Sequence, residues 1–115
     1  LELLPQLFNF FYLLILMSDY QTVSIKSSDK SGKKMMATFK NKKTGREKTT
    51  HFGQAGADDY TLTKDKDQRA RYRGRHQKDL KTNDKTRAGY LSYYILWGNS
   101  TSKAENIKNY KSRFG

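Results

Sequence analysis

Hydrophobic and polar residues alternate over three short runs in the first half of the chain. In the first run, Val23 and Ile25 alternate with polar residues, which predicts that the two share one face. A period of two is typical of a β-strand with one buried face. Short turns separate the runs, and one of them places Gly45 where a positive φ is favoured. The pattern therefore predicts a three-stranded antiparallel meander. The strands are expected at residues 20–28, 34–40 and 48–53.

The spacing of apolar residues lengthens to three or four in the second half of the chain, which is typical of helices. The first helix is expected to begin near Asp65, and either Thr63 or Asp65 can cap it. The second spans residues 88–97, and the third follows Ser102, which forms a capping-box pattern with Glu105. The element order is then β-β-β-α-α-α. This order predicts an α+β fold in which about three helices cover one face of a small three-stranded antiparallel sheet.

An apolar segment, residues 1–16, precedes this domain, and its single charged residue is Glu2. The segment is too short for a bilayer-spanning helix, which needs about 20 apolar residues. It also lacks the basic start and small-residue cleavage site of a secretory signal. Three interpretations stay open: read-through of upstream sequence before a natural start at Met17, a helix that docks on a membrane or partner, or a helix packed on its own domain. The sequence thus predicts an apolar N-terminal helical extension (1–16) and a single basic domain (17–115).

The chain offers few groups for catalysis. It has no cysteine and only two histidines, His51 and His76, whose positions on a predicted strand and a predicted helix give no catalytic or metal-ligand spacing. Phosphate-binding loops, nucleophile elbows and zinc-protease motifs do not occur in it. The pair Asp58–Asp59 lacks further oxygen donors for a hard cation. We therefore expect a protein that is not an enzyme, with no catalytic residue, metal, cofactor or small-molecule substrate.

Positive charge dominates the composition, with 23 Lys and Arg against 11 Asp and Glu and a formal net charge of +12. Long basic side chains could simply form a solvated surface, but a neutral mixture would dissolve as well. The excess therefore predicts an anionic partner: nucleic acid, an acidic protein surface or lipid headgroups. The arginines of the first helix form two rows with i, i+4 spacing, 69/73 and 71/75, that could follow phosphates. The candidate anion-binding residues are Lys33, Lys34, Lys42, Lys43, Arg46, Arg69, Arg71, Arg73 and Arg75.

Four aromatic residues lie within eight positions of the second predicted helix: Tyr90, Tyr93, Tyr94 and Trp97. One helix face cannot bury them all. They could belong to a core shared with the sheet, with the hydroxyl groups at its rim. They could instead form an exposed patch that docks a protein partner, because Tyr and Trp are enriched at interfaces, or stack on the bases of a single strand.

A series of short motifs runs through the basic domain. It comprises His51-Phe52-Gly53, Asp59-Tyr60-Thr61, Lys64-Asp65, Arg69, Tyr72, Arg75-His76, Ala88-Gly89, Ser92, Leu96-Trp97 and Arg113-Phe114. With this series, residues 23–114 resemble a family of small basic proteins, of poorly defined function, encoded by giant nucleocytoplasmic large DNA viruses. Thr63 departs from the pattern, since many relatives carry His there. The resemblance implies a viral setting rather than a mechanism.

Two functions are consistent with these features. The first is a non-enzymatic minor virion protein (minor capsid or cement protein) of a large double-stranded DNA virus, located in the virion and, during assembly, in the virus factory of the host cytoplasm. Its basic faces would bind the major capsid protein or other minor proteins, with inner-membrane headgroups or viral DNA as further partners. The alternative is a sequence-nonspecific nucleic-acid-binding protein that uses the Arg69–Arg75 helix and the Lys-rich turns. The family context that the resemblance implies favours the first, and so does a charge that is scattered along the chain rather than confined to one face.

Overall fold

The computed structural model of the protein describes residues 19–115, and the predicted extension (1–16) and the expected start at Met17 lie outside them. Three strands come first and helices follow, which confirms the predicted α+β fold. Within the described residues, every helix is too short or too polar to cross a membrane. The strands are β1 (Tyr20–Ser27), β2 (Lys33–Asn41) and β3 (Glu47–Gln54). The helices are α1 (Tyr60–Thr63), α2 (Lys66–His76), a 3-10 helix (Gln77–Thr82), α3 (Ala88–Leu91), a π-helix (Ser92–Leu96) and α4 (Lys103–Phe114).

The sheet is an antiparallel meander with strand order β1-β2-β3, as predicted. Met35, Ala37 and Phe39 alternate along the central strand and are almost completely buried. Phe52 lies opposite Met35 on β3 and is buried with them. Because successive side chains of a strand point to opposite faces, one face of the sheet forms the core. Gly45 has the expected positive φ, 73°, in the turn between β2 and β3.

The first strand departs from the predicted alternation at a β-bulge. The register with β2 shifts between Thr22 and Ser24, so that Val23 has no partner and is 52% exposed. Ile25 is buried. The prediction that Val23 and Ile25 share one face is therefore wrong, because the extra residue of a bulge breaks the period of two.

The helices cover the apolar face of the sheet. Leu91, Ile95 and Leu96 are buried against it, and Tyr110 of α4 closes the core. The predicted helix over residues 88–97 is present, but α3 changes into a π-helix at Ser92. The amide of Trp97 donates to the Ser92 carbonyl at 3.0 Å, a hydrogen bond that spans five residues.

The predicted caps form in part. Asp65 accepts hydrogen bonds from the amides of Asp67 and Gln68 and begins α2. Ser102 accepts from the Glu105 amide at 3.2 Å, but the Glu105 carboxylate accepts from the Ser100 hydroxyl instead of returning to Ser102. The capping box of α4 is thus made in one direction only. The short helix α1, capped by Asp59, was not predicted.

Candidate functional site

The two arginine rows of α2 have different environments. Arg69 donates through Nη1 to the carbonyls of Gly98 and Asn99, at 3.3 and 3.1 Å. Arg73 donates through Nε to the Trp97 carbonyl at 2.9 Å and through Nη2 to the Asn99 side chain at 3.0 Å. A helix end leaves its last carbonyls without helical partners, and this inner row (Arg69 and Arg73) supplies donors there. The inner row thus fastens α2 to the segment that follows the π-helix, a role that the sequence did not predict, and anion binding by either row stays a prediction.

The other row stays exposed. Arg71 and Arg75 continue into Lys78 and Lys81, and all four side chains are exposed. Within residues 19–115 none of them forms an ion pair. A shallow depression of about 430 Å³ lies beside Arg75, Lys78 and Lys81, and no carboxylate lines it. We call these four residues the basic ridge.

Lys34 has an internal partner. Its ammonium group lies 2.6 Å from Oδ2 of Asp59 and also donates to the Ala57 carbonyl. Its side chain is only 12% exposed, and that of Asp59 only 1%. The prediction of Lys34 as a residue that binds an external anion is therefore corrected, since its charge is neutralised within the fold.

The remaining predicted lysines lie at the turns of the sheet. Lys42, Lys43 and Arg46 are exposed in and beside the β2–β3 turn, and Lys33 is exposed at the start of β2. Lys43 lies 3.4 Å from Asp19, although its side chain is 57% exposed. Burial, together with the charge of the nearby Lys42, lowers the pKa of Lys85 below its ordinary value. The β2–β3 turn thus carries a second concentration of positive charge.

The structure divides the four predicted docking aromatics into two pairs. Tyr90 and Trp97 are buried in the core at 9% and 7% exposure, so they are not part of an exposed patch. The Trp97 ring stacks on Tyr72 with a centroid distance of 4.2 Å, and burial raises the pKa of Tyr72 to about 12. Tyr93 and Tyr94 are half-buried. Half of the predicted patch therefore belongs to the core and half reaches the surface.

Tyr93 and Tyr94 line a pocket of about 400 Å³ between α2, the π-helix and α4. Arg73 of the inner row borders it, and so do Arg113 and Asn109 of α4. Arg113 and Asn109 were not among the predicted site residues. Their i, i+4 spacing on the third predicted helix was the available signal, but nothing in the sequence indicated that this helix faces Tyr93.

The two histidines have separate partners. Nδ1 of His51 lies 2.7 Å from the Ser28 hydroxyl on the sheet. Nδ1 of His76 lies 3.1 Å from the Asp79 carboxylate, and its ring stacks on Tyr72. Within the part of the chain that the structure describes, no group of three or more His, Asp or Glu could hold a metal ion. The geometry thus accounts for each histidine through a local contact.

Comparison with known proteins gives one family match. A family of unknown function (DUF5754) matches residues 23–76, so the chain is similar to it over most of β1 and all of β2, β3, α1 and α2. The matched part includes both arginine rows but not the π-helix or α4. No curated protein and no solved structure matches the chain.

Proposed function

We propose that the protein is a non-enzymatic binding protein that attaches to acidic neighbours through its exposed basic side chains. Residues 23–114 resemble small basic proteins of giant DNA viruses. On that basis we place the protein in the virion of a large double-stranded DNA virus, as a minor capsid or cement protein. Its neighbours would be the major capsid protein or other minor proteins, and also inner-membrane headgroups or viral DNA.

The observation that carries this proposal is the shortage of internal counter-charges. All 23 Lys and Arg residues lie within residues 19–115, together with ten of the 11 acids. Within that range only Lys34, Lys43 and Arg87 form ion pairs with a carboxylate. Because the fold leaves most of its positive charge without an internal partner, an external anionic surface would gain complementary contacts with it.

The distribution of the charge supports several contacts rather than one. The basic ridge lies on α2 and the 3-10 helix, whereas Lys42, Lys43 and Arg46 lie at the β2–β3 turn. A protein that fills a space between neighbours needs contacts on more than one side. Separate basic regions on different elements meet that need.

The virion role is tested by quantitative mass spectrometry of purified virus particles combined with carbodiimide cross-linking, which joins lysine amines to carboxylates. We expect the chain at a fixed ratio to the major capsid protein, with cross-links from Lys42 and Lys43 to acid-rich segments of neighbours. Absence of the chain from washed particles would contradict the virion role. If the protein cross-linked only to viral proteins that are absent from particles, it would act in assembly, and a structural role would be contradicted.

The basic ridge favours a second candidate function, sequence-nonspecific binding of nucleic acid. Three of its cations, Arg75, Lys78 and Lys81, line one depression, and guanidinium groups bind phosphates bidentately. Phosphate binding weakens with salt, with a log–log slope of about −0.9 for each phosphate neutralised on duplex DNA. The Arg71→Gln/Arg75→Gln variant should therefore bind duplex more weakly and with a slope reduced by about 2.

A matched control is available on α4. Lys108→Gln/Lys111→Gln removes the same charge from two other exposed positions. If the basic ridge binds nucleic acid, this control should keep the salt dependence of the unmodified protein. Equal losses in both variants would indicate diffuse charge attraction without a ridge, and no binding to duplex or single strands at low salt would exclude the nucleic-acid function.

A further inference from the structure

The pocket beside the π-helix combines positive charge with aromatic and amide groups. Its rim is formed by Arg73, Tyr93, Tyr94, Asn99, Asn109 and Arg113. No Asp or Glu is among its lining residues. Its volume of about 400 Å³ is within the usual range for organic ligands, about 300–1,000 Å³.

Both guanidinium groups are held by aromatic rings. The guanidinium carbon of Arg73 lies 5.5 Å from the centroid of Tyr93, and that of Arg113 lies 5.0 Å from Tyr94. The Arg113 guanidinium also lies 5.1 Å from the ring of Phe114. Such contacts restrict a flexible side chain before a ligand arrives, which lowers the entropic cost of binding.

The arginines keep hydrogen-bond donors for a ligand. Arg73 uses two of its five N–H groups on the Trp97 carbonyl and the Asn99 side chain, and three have no partner within residues 19–115. The Arg113 guanidinium makes no hydrogen bond or ion pair within that range. Burial and the charge of Arg69 lower the pKa of Arg73 below its ordinary value. An oxyanion at the rim would accept hydrogen bonds from both groups.

The backbone under the pocket has an uncommon conformation. Tyr93 and Tyr94 lie in the π-helix (Ser92–Leu96), and this segment changes the direction in which its side chains point relative to an α-helix. Short π-helical segments are rare, and those that occur often lie at functional sites. Tyr93 and Tyr94 of this segment both line the pocket.

We infer that this pocket binds a nucleotide, with its phosphate between Arg73 and Arg113 and its base against the tyrosines and the Asn99 and Asn109 amides. Two guanidinium groups match a phosphate that accepts bidentate hydrogen bonds. Aromatic rings and side-chain amides match the flat faces and the donor and acceptor edges of a base. The nucleotide is either free or one unit of a single strand. This inference does not depend on the proposed function, since its rim residues lie apart from the basic ridge and the β2–β3 turn.

The test is isothermal titration calorimetry of residues 1–115 with three probes: adenosine 5′-monophosphate, inorganic phosphate and a ten-nucleotide single strand. Arg113→Gln should weaken binding of the nucleotide about tenfold, because one charged bidentate contact is lost. The control Lys108→Gln removes the same charge from an exposed position on the same helix outside the pocket and should leave the affinity unchanged. Tyr93→Leu should weaken the nucleotide more than inorganic phosphate.

The outcomes distinguish a free nucleotide from a single strand as the ligand. If the single strand binds more tightly than the mononucleotide, and Arg113→Gln loses this binding, the strand is the ligand of the pocket. Binding of the mononucleotide alone supports a free nucleotide. The inference is overturned by no nucleotide binding at millimolar concentration, by equal affinity for inorganic phosphate and nucleotide, or by equal effects of Arg113→Gln and Lys108→Gln. Strand binding lost in Arg71→Gln/Arg75→Gln but kept in Arg113→Gln would overturn it and support the basic ridge.

Discussion

The ammonium group of Lys34 lies 2.6 Å from the carboxylate of Asp59, and this ion pair joins the central strand to the start of α1. The same carboxylate accepts hydrogen bonds from the amide and the hydroxyl of Thr61, and the ammonium group also donates to the Ala57 carbonyl. A buried charge is tolerated only when it is paired and hydrogen-bonded. The pair therefore fixes the segment between β3 and α1 against the sheet.

Removing one member of this pair should destabilise the protein strongly. Lys34→Met leaves the Asp59 carboxylate buried without its cation, and we expect the free energy of unfolding to fall by about 3 kcal/mol. Lys34→Met/Asp59→Asn removes both charges and should recover much of that loss, since the amide can still accept from Thr61. Urea unfolding followed by circular dichroism measures both effects.

The exposed neighbour Lys33 provides a control, because Lys33→Met should change the free energy of unfolding by less than about 0.5 kcal/mol. If Lys34→Met were as mild as Lys33→Met, the ion pair would have no structural role. If the double variant were as unstable as Lys34→Met, the loss would come from packing of the lysine stem rather than from the unpaired charge.

The ion pair also predicts sensitivity to acid. Burial by itself would raise the pKa of Asp59, but hydrogen bonds from Lys34 and Thr61 and the charge of Lys34 outweigh it and hold the pKa below the ordinary value of 3.8. A carboxyl group whose pKa is lower in the folded state stabilises the fold above its ordinary pKa, and this contribution is lost as the pH falls through the folded pKa. Stability should therefore fall on acidification below about pH 4.

The Asp59→Asn variant cannot titrate at this position, so its urea midpoint should fall less between about pH 5 and pH 3 than that of the unmodified protein. The midpoint of the variant should still fall somewhat with pH, because Asp84 also titrates with a lowered pKa. Burial opposes the shift there too, but hydrogen bonds from Thr86 and the charge of Lys48 lower its pKa. Parallel pH profiles for the two proteins would show that Asp59 is not a source of the acid sensitivity.

The strand order and most element positions could be predicted because they depend on local patterns. Alternation along β2, the turn at Gly45 and the cap at Asp65 each involve residues close in the sequence. The bulge at Val23 could not be predicted in this way, since a bulge is defined by the pairing of two strands. The change from α3 to the π-helix likewise left no distinct mark in the apolar spacing.

The candidate site was predictable only in part, because it depends on which side of α2 faces inward. The rows 69/73 and 71/75 have the same spacing and residue type, and only the position of the Trp97 and Asn99 oxygens distinguishes them. The partner of Lys34 lies 25 positions away. The composition predicts an anionic partner, but it could not separate cations used within the fold from cations left exposed.

Gly98 is expected to tolerate no side chain. A Cβ there would lie 2.2 Å from the Tyr94 carbonyl oxygen and 2.7 Å from the Asn106 side-chain carbon. Asn106 is buried, donates to the carbonyls of Ile95 and Ser100 and accepts from the Ser100 amide, so it cannot move aside without losing these bonds. Gly98→Ala should therefore lower the free energy of unfolding by at least about 2 kcal/mol.

The matched control is Gly74→Ala in α2, where a Cβ would meet nothing within 4 Å. Alanine favours the helix over glycine, so this change should raise the stability by about 0.5–1 kcal/mol. Thermal and urea unfolding of the two variants should move in opposite directions. If Gly98→Ala were as stable as the unmodified protein, the turn at Gly98 would relax freely and the contacts of Asn106 would not confine it.

The two arginine rows of α2 should differ in their effect on stability. Arg69→Gln/Arg73→Gln removes the donors that satisfy the carbonyls of Trp97, Gly98 and Asn99, and we expect a loss of about 3 kcal/mol. Arg71→Gln/Arg75→Gln removes the same charge from exposed positions and should leave the stability unchanged or slightly higher, because it reduces repulsion in a chain of net charge +12.

Added salt should stabilise the unmodified protein more than the Arg71→Gln/Arg75→Gln variant, since salt screens the same repulsion. Differential scanning calorimetry at low and high salt measures both effects, and equal losses in the two variants would show that the inner row does not hold α2 to the core.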